Sequence, residues 1–256
     1  MSEPVICFGQ QPCGFFPKRF FHAKLVTARR LQREIGGRIV WFCHDSDHDY
    51  RETATPLRDL KTGELARINF DHVGKLQKKY TPLYAKRIQG DWQERTARLL
   101  PRFVPPALVD LFRAVQAGTV ADFCLDMYRR LGHLEGVEVV RSSEPGLRAR
   151  AVEVADFYVD VLHEGELVRA RCRDGKLTLH RGGDEYLELP YVEPAKETIS
   201  PARDTRLRWM QSVVRCTHYV AGAGEAQYLK REETPEITFV ARESIDRADE
   251  SFVEVP

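Results

Sequence analysis

The chain contains no apolar run approaching the roughly 18 residues of a membrane span. Nor does it open with a basic stretch leading into an apolar one, as a secretory signal would, so the expected setting is cytoplasmic, with no membrane partner. Charge of one sign is also lacking. The formal net charge is +1, which argues against a dedicated nucleic-acid binder. Cysteine is sparse and scattered: Cys7, Cys13, Cys43, Cys124, Cys172 and Cys216 form no C-x-x-C pair, so neither a zinc ribbon nor a disulfide framework is expected. Cys13 alone stands in a loop ahead of a helix start, where a thiol pKa can fall. Internal repeats and low-complexity tracts are absent.

What is present is a soluble-type composition, 43% hydrophobic and 30% charged over 256 residues, enough for one large domain or two small ones. The organising stretch is residues 5–52. A short apolar run (5–8) meets Gly9-Gln10-Gln11-Pro12-Cys13-Gly14, then a basic amphipathic segment (18–35), a second apolar run (38–43) and an acidic loop, His44-Asp45-Ser46-Asp47-His48-Asp49. Strand, glycine loop, period-3.6 helix and strand describe a parallel βαβ unit. Ligands in such sheets bind beyond the carboxyl ends of the strands, so both polar loops belong at one edge, with a helix N-terminus between them able to face an anion.

The rest of the chain predicts a hairpin around Lys61-Thr62-Gly63, a helix over 82–103 and helices over 107–131 broken at Gly118 with Thr119 as cap. A short strand follows at 137–141 and a helix at 156–163. Alternating segments over 167–189, joined by Asp174-Gly175 and Gly182-Gly183-Asp184, read as an antiparallel meander. Ser200-Pro201 reads as a cap and first helical residue. Strands at 217–221 and 237–241 flank Gly222-Ala223-Gly224-Glu225 and restore the βαβ rhythm. The expected architecture is therefore α/β. Residues 1–70 and 199–256 make two halves of a Rossmann-like parallel core, and 71–198 form an inserted α+β lobe carrying the meander.

Two blocks carry a resemblance. Residues 8–14, Lys24 and Trp41-Phe-Cys-His-Asp-Ser-Asp-His-Asp-Tyr50 resemble the core of the BshC family, the cysteine ligases of bacillithiol biosynthesis. There, a Gly-Gln-Gln loop and helix lead to a strand ending in Glu-Asp-His-Asp-Phe. Ser200, Arg206, Tyr219, Gly222, Gly224, Glu225, Tyr228, Arg242 and Ser244 match that family's second block in the same order. The chain departs from it at Ala202, Arg203, Leu207, Met210, Ala221 and Ala223, and is a shortened form, without the family's long coiled coil.

The resemblance implies a nucleotidylyltransferase-like fold and a ligase joining L-cysteine to an amino-sugar acceptor through a carboxylate activated by ATP or another nucleotide, with Mg²⁺ as a possible companion. Gly9, Gln10, Gln11, Gly14 and Lys24, with Arg206, Gly222, Gly224 and Arg242, would hold the nucleotide. Asp47 and Asp49 would hold an ammonium or Mg²⁺, His48 would act as general base, and Glu225 would orient substrate. No dedicated metal centre is expected, and the oligomeric state is left open. Two alternatives remain: a non-catalytic binder of nucleotides or other small molecules, and a metal-dependent hydrolase built on the donor types of the 44–49 loop.

Overall fold

The computed structural model describes residues 3–253. Along the chain the elements are β1 (Val5–Gln10), α1 (Arg19–Ile35), β2 (Arg38–Cys43), β3 (Thr55–Arg58), β4 (Leu65–Ile68), α2 (Lys75–Tyr80), α3 (Trp92–Leu99), α4 (Pro106–Ala114), α5 (Val120–Arg130), β5 (Val137–Arg141) and α6 (Pro145–Arg150). There follow β6 (Phe157–His163), β7 (Glu166–Arg173), β8 (Lys176–Gly182), β9 (Glu185–Leu189), β10 (Ile199–Pro201), α7 (Arg206–Val214), β11 (His218–Ala221), α8 (Ala223–Ala226) and β12 (Thr238–Ala241).

Five strands form one all-parallel sheet in the order β12-β11-β1-β2-β5. The four apolar runs expected to share a sheet do so. The central strands are buried on both faces, which is why they read as unbroken apolar runs. Ile6 and Phe8 of β1 and Ile39 and Trp41 of β2 face α1 and α5. Val5, Cys7, Val40 and Phe42 face α6 and α7. Chain direction across the sheet reverses between β1 and β11, because β2 and β5 extend to one side of β1 while β11 and β12 extend to the other. That reversal is the topological switch point at which such sheets open a crevice.

A second, antiparallel sheet, β10-β6-β7-β8-β9, contains the expected meander and has its own small core around Val159, Val168 and Leu177. The hairpin β3-β4 is also as expected, and Thr119 caps α5 by accepting from the amide of Asp122 at 3.3 Å.

Several local expectations are corrected. Residues 156–163 are not a helix but strand β6, paired with β7. Their alternation is masked because Tyr158 and Leu162, on the same face of the strand as Asp160, are aromatic or apolar, Leu162 standing 79% exposed. Ser200-Pro201 does not open a helix: residues 199–201 pair with β6, Ser200 Oγ accepts from Arg169 Nε at 3.0 Å, and α7 starts at Arg206. Within 82–103 only Trp92–Leu99 is α-helical. The short strand at 137–141, which falls inside the segment read as an insertion, is the edge strand β5 of the parallel sheet.

Candidate functional site

At the switch point a cleft of about 590 Å³ opens, lined by Gly9, Gln10, Gln11 and Asp47 from the first sequence block and by Arg206, Gly222, Gly224, Glu225 and Arg242 from the second. It adjoins a second chamber of about 450 Å³, roofed by the meander, to which His48, Asp49, Tyr158, Arg169 and His180 contribute. Gln11, Asp47, Arg203 and Arg206 line both.

The floor is a closed network. Lys24, on α1, donates to Glu225 Oε2 and to the carbonyl of Gly9, both at 2.7 Å. Tyr219, on β11, donates to Glu225 Oε1 at 2.7 Å and accepts from the amide of Gly9 at 3.1 Å. Glu225 also reaches back to the amide of Gly222 at 3.3 Å, the returning half of a capping box. Gly9 must be glycine for steric reasons: a Cβ there would stand 2.5 Å from Tyr219 Oη and 2.7 Å from His44 Nε2. Burial, followed by the charge of Arg206, holds His44 well below the ordinary histidine pKa, so a neutral imidazole sits against β1.

Three expectations for the glycine loop are revised. Gly14 does not line the cleft; its carbonyl accepts from Tyr128 Oη at 2.7 Å. The loop amides of Gly9, Cys13 and Phe15 are held by the hydroxyls of Tyr219, Tyr128 and Thr55, so they do not form an open anion cradle. Lys24 is committed to Glu225 rather than standing free. Cys13 is fully buried, and burial pushes its thiol pKa up, the reverse of activation.

The acidic loop divides by role. Asp45 is buried and accepts from Arg141 Nε at 2.6 Å and from Ser143 Oγ at 2.7 Å, which ties the loop to β5. Asp47 turns into the cleft, where its Oδ1 accepts from the amides of His48 (2.7 Å) and Asp49 (3.2 Å). Burial pushes the Asp47 carboxyl up, but Arg169, at 3.6 Å, and Arg206 more than reverse this, leaving it ionised well below the usual carboxylate range. Burial, with help from Arg169 and Lys86, lowers the His48 pKa to about 4, so at neutral pH it is a free base. Asp49 accepts from the amide of Arg51 at 2.9 Å, a turn-forming bond.

Among the described residues no three His, Cys, Asp or Glu side chains come together as a metal-binding group. His44 and Asp45 are turned inward to other partners, so the donor types that crowd this loop in sequence do not converge in space.

Sequence reasoning missed two basic residues, Arg169 and Lys86, and used a third, Lys18, only as the helix start. Arg169, on β7, stacks its guanidinium 3.9 Å from the Tyr158 ring centroid and donates to the Pro201 carbonyl at 2.9 Å. Lys86 is fully buried beneath the acidic loop, donates to the carbonyls of His48 (2.7 Å) and Lys78 (2.8 Å), and is lowered by burial to a pKa of about 7. Lys18 faces the cleft from just before α1. Single basic residues outside any repeat or motif carry no sequence signal that distinguishes them. By contrast Arg206 and Arg242, both singled out from sequence, line the cleft with no carboxylate within ion-pair distance among the described residues.

No helix among the described residues is long and apolar enough to cross a membrane. No protein-family model matches the chain, and no curated protein matches it.

Proposed function

We propose that this cleft binds a nucleotide-derived polyanion beside a carboxylate and an amine, and that the protein is a BshC-like ligase, on a nucleotidylyltransferase-like core, joining L-cysteine to an amino-sugar acceptor. The observation that carries the reading is convergence. Gly9, Gln11 and Asp47 from one end of the chain and Arg206, Glu225 and Arg242 from the other line a single cleft at the switch point.

In this reading Arg206 and Arg242 neutralise the phosphates, both lining the cleft without an acidic partner among the described residues. The activated carboxyl carbon is attacked by the amine, phosphate or nucleotide leaves with the C–O bond electrons, and the amine's proton passes to a base. His48, a neutral imidazole lining the adjoining chamber, would take that proton, and the ionised Asp47, with its carboxylate 3.9 Å from His48 Nδ1, would stabilise the imidazolium that results. A Mg²⁺ travelling with the nucleotide needs one or two protein carboxylates, and Asp47 and Glu52 line the same cleft as Arg206. Glu225 holds the floor in place through Lys24 and Tyr219.

The test is incubation of the purified protein with ATP, L-cysteine and a glucosaminyl-malate-type acceptor, read by mass spectrometry. The expected result is a condensed thiol product formed with nucleotide cleavage. Nucleotide binding without product would support the second reading, a binding protein without ligase activity. One observation favours that reading: Lys24 and the loop amides are already committed inside the protein. Neither binding nor product would overturn both.

A further inference from the structure

The start of α1 is already occupied. The amide of Arg19 donates to the carbonyl of Glu250 at 2.8 Å, and that of Phe20 to the carbonyl of Ala248 at 2.9 Å. The segment supplying these carbonyls is laid across the helix by a bridge between Lys18 and Ser251, and by the amides of Ser251 and Phe252, which donate to the carbonyls of Pro56 and Pro17, each at 2.8 Å. Glu250 is anchored to Arg58 at 2.6 Å, and the Phe252 ring stacks on His22 with centroids 4.0 Å apart. Ala248 and Asp249 form part of the cleft wall.

A second, independent feature sits beside these amides. Lys18 is 8% exposed and lines the same cleft, yet its ammonium makes no hydrogen bond or ion pair among the described residues; it lies 5.8 Å from the Phe20 ring centroid. Glu52 lines the cleft without coming within ion-pair distance of it. The side chain is mostly buried while its ammonium opens into the cleft without a protein acceptor among the described residues, and an anion placed there would supply one. Carbonyl oxygens at a helix N-terminus do part of what a phosphate would do: they accept the first-turn amides and place partial negative charge at the positive end of the dipole. They give the Lys18 ammonium no acceptor.

We infer that residues 248–252 are a strap occupying an anion seat, and that a phosphate-type anion enters by displacing the strap, its oxygens taking the amides of Arg19 and Phe20 while Lys18 supplies the counter-charge. The inference rests on the cleft being an anion site. A phosphate satisfies all three donors and the strap only two, so the anion favours the strap-released state. The strap in turn lowers apparent affinity by holding the competent fraction down.

The experiment uses the full chain and inorganic pyrophosphate, with hydrogen–deuterium exchange followed at individual amides. On binding, Ser251 and Phe252 should lose protection while Arg19 and Phe20 keep theirs. Arg58→Gln and Glu250→Gln break the same anchor from opposite ends, and each should tighten pyrophosphate binding, by about tenfold if the strap-docked state dominates. Lys18→Met should weaken it by a similar factor with its thermal midpoint no lower than that of the wild type. Binding that leaves Ser251 and Phe252 protected, and is indifferent to both anchor variants, would overturn the strap while leaving the cleft as an anion site. Failure of the wild type and both anchor variants to bind pyrophosphate would overturn the strap and the anion reading together.

Discussion

Lys24 and Glu225 are 201 positions apart in sequence, and their side chains meet at 2.7 Å with 4% and 10% exposure respectively. The contact joins α1 to the start of α8 across the switch point, and with the Gly9 carbonyl and Tyr219 hydroxyl it leaves neither charge facing water alone. Removing one member of such a pair strands the other. Lys24→Met and Glu225→Gln should therefore each cost about 3–5 kcal/mol in urea denaturation, and the double replacement Lys24→Met with Glu225→Met less than their sum. Single variants of near wild-type stability with nucleotide binding abolished would reassign Lys24 as a direct ligand contact.

Gly9→Ala tests the closeness of β1 to β11. The backbone at Gly9 needs no unusual dihedral; the constraint is the Tyr219 hydroxyl and the His44 ring, which lie 2.5 and 2.7 Å from where the added methyl would stand. Overpacking of this kind costs about 1–3 kcal/mol. Tyr219→Phe removes the nearer clashing atom but also the hydrogen bonds to Glu225 and the Gly9 amide, so the double variant should cost less than the sum of the two single ones. A neutral Gly9→Ala in chemical denaturation would contradict the packing described here.

The parallel sheet was legible because β1, β2, β11 and β12 are short apolar runs, each followed by a polar loop, and burial on both faces leaves little else for such runs to be. Strand β5 was recognised as a strand but not as part of that sheet: its parallel pairing with β2 spans about a hundred residues and leaves no local mark. The cleft residues were legible chiefly as members of two sequence blocks, at 8–50 and 200–244, whose loops carry glycine and charged residues. Where the reading failed, a distant group had taken a local one. Tyr128 takes Gly14 and Cys13, and the segment at 248–250 takes the first amides of α1. Motif reasoning sees the donors of a loop but not the acceptors folded onto them.

Arg206 and Arg242 should behave oppositely to Lys24. Neither has a carboxylate partner among the described residues, so Arg206→Gln and Arg242→Gln should change stability by no more than about 1 kcal/mol. If they contact phosphate, each should weaken ATP binding by roughly tenfold or more, since a charge-assisted hydrogen bond is worth about 1.5–3 kcal/mol. Calorimetric titration at fixed ionic strength measures both. Unchanged affinity in both variants would remove the cationic wall from the site.

Acid should destabilise the protein before its carboxylates are protonated. His48, His72 and His133 are each lowered to about 4, in every case first by burial, and then by Arg169 and Lys86 for His48, Lys86 and Lys78 for His72, and His22 and Arg29 for His133. Unfolded histidine titrates near about 6.5. Above that pH neither state binds the proton, and the full stabilising contribution is present. Between about 6.5 and 4 the unfolded chain takes up protons that the folded chain refuses, so unfolding free energy falls as pH falls, and below about 4 these groups add no further change. Asp47 acts in a lower window, because its depressed pKa makes its contribution decline only once the pH passes below the ordinary carboxylate value. Lys86, lowered to about 7, already makes stability fall as pH drops toward 7, and the histidines continue the fall below about 6.5. Chemical denaturation from about pH 7.5 to 4 should thus show a continuous loss of stability whose part below about 6.5 is shallower in His72→Asn. Titration of the folded protein by NMR should find His48 still neutral at about pH 5.5. A His48 that protonates near 6.5 would show that its imidazole is hydrated rather than buried, and would move the acid limb of any activity it supports up by the same amount.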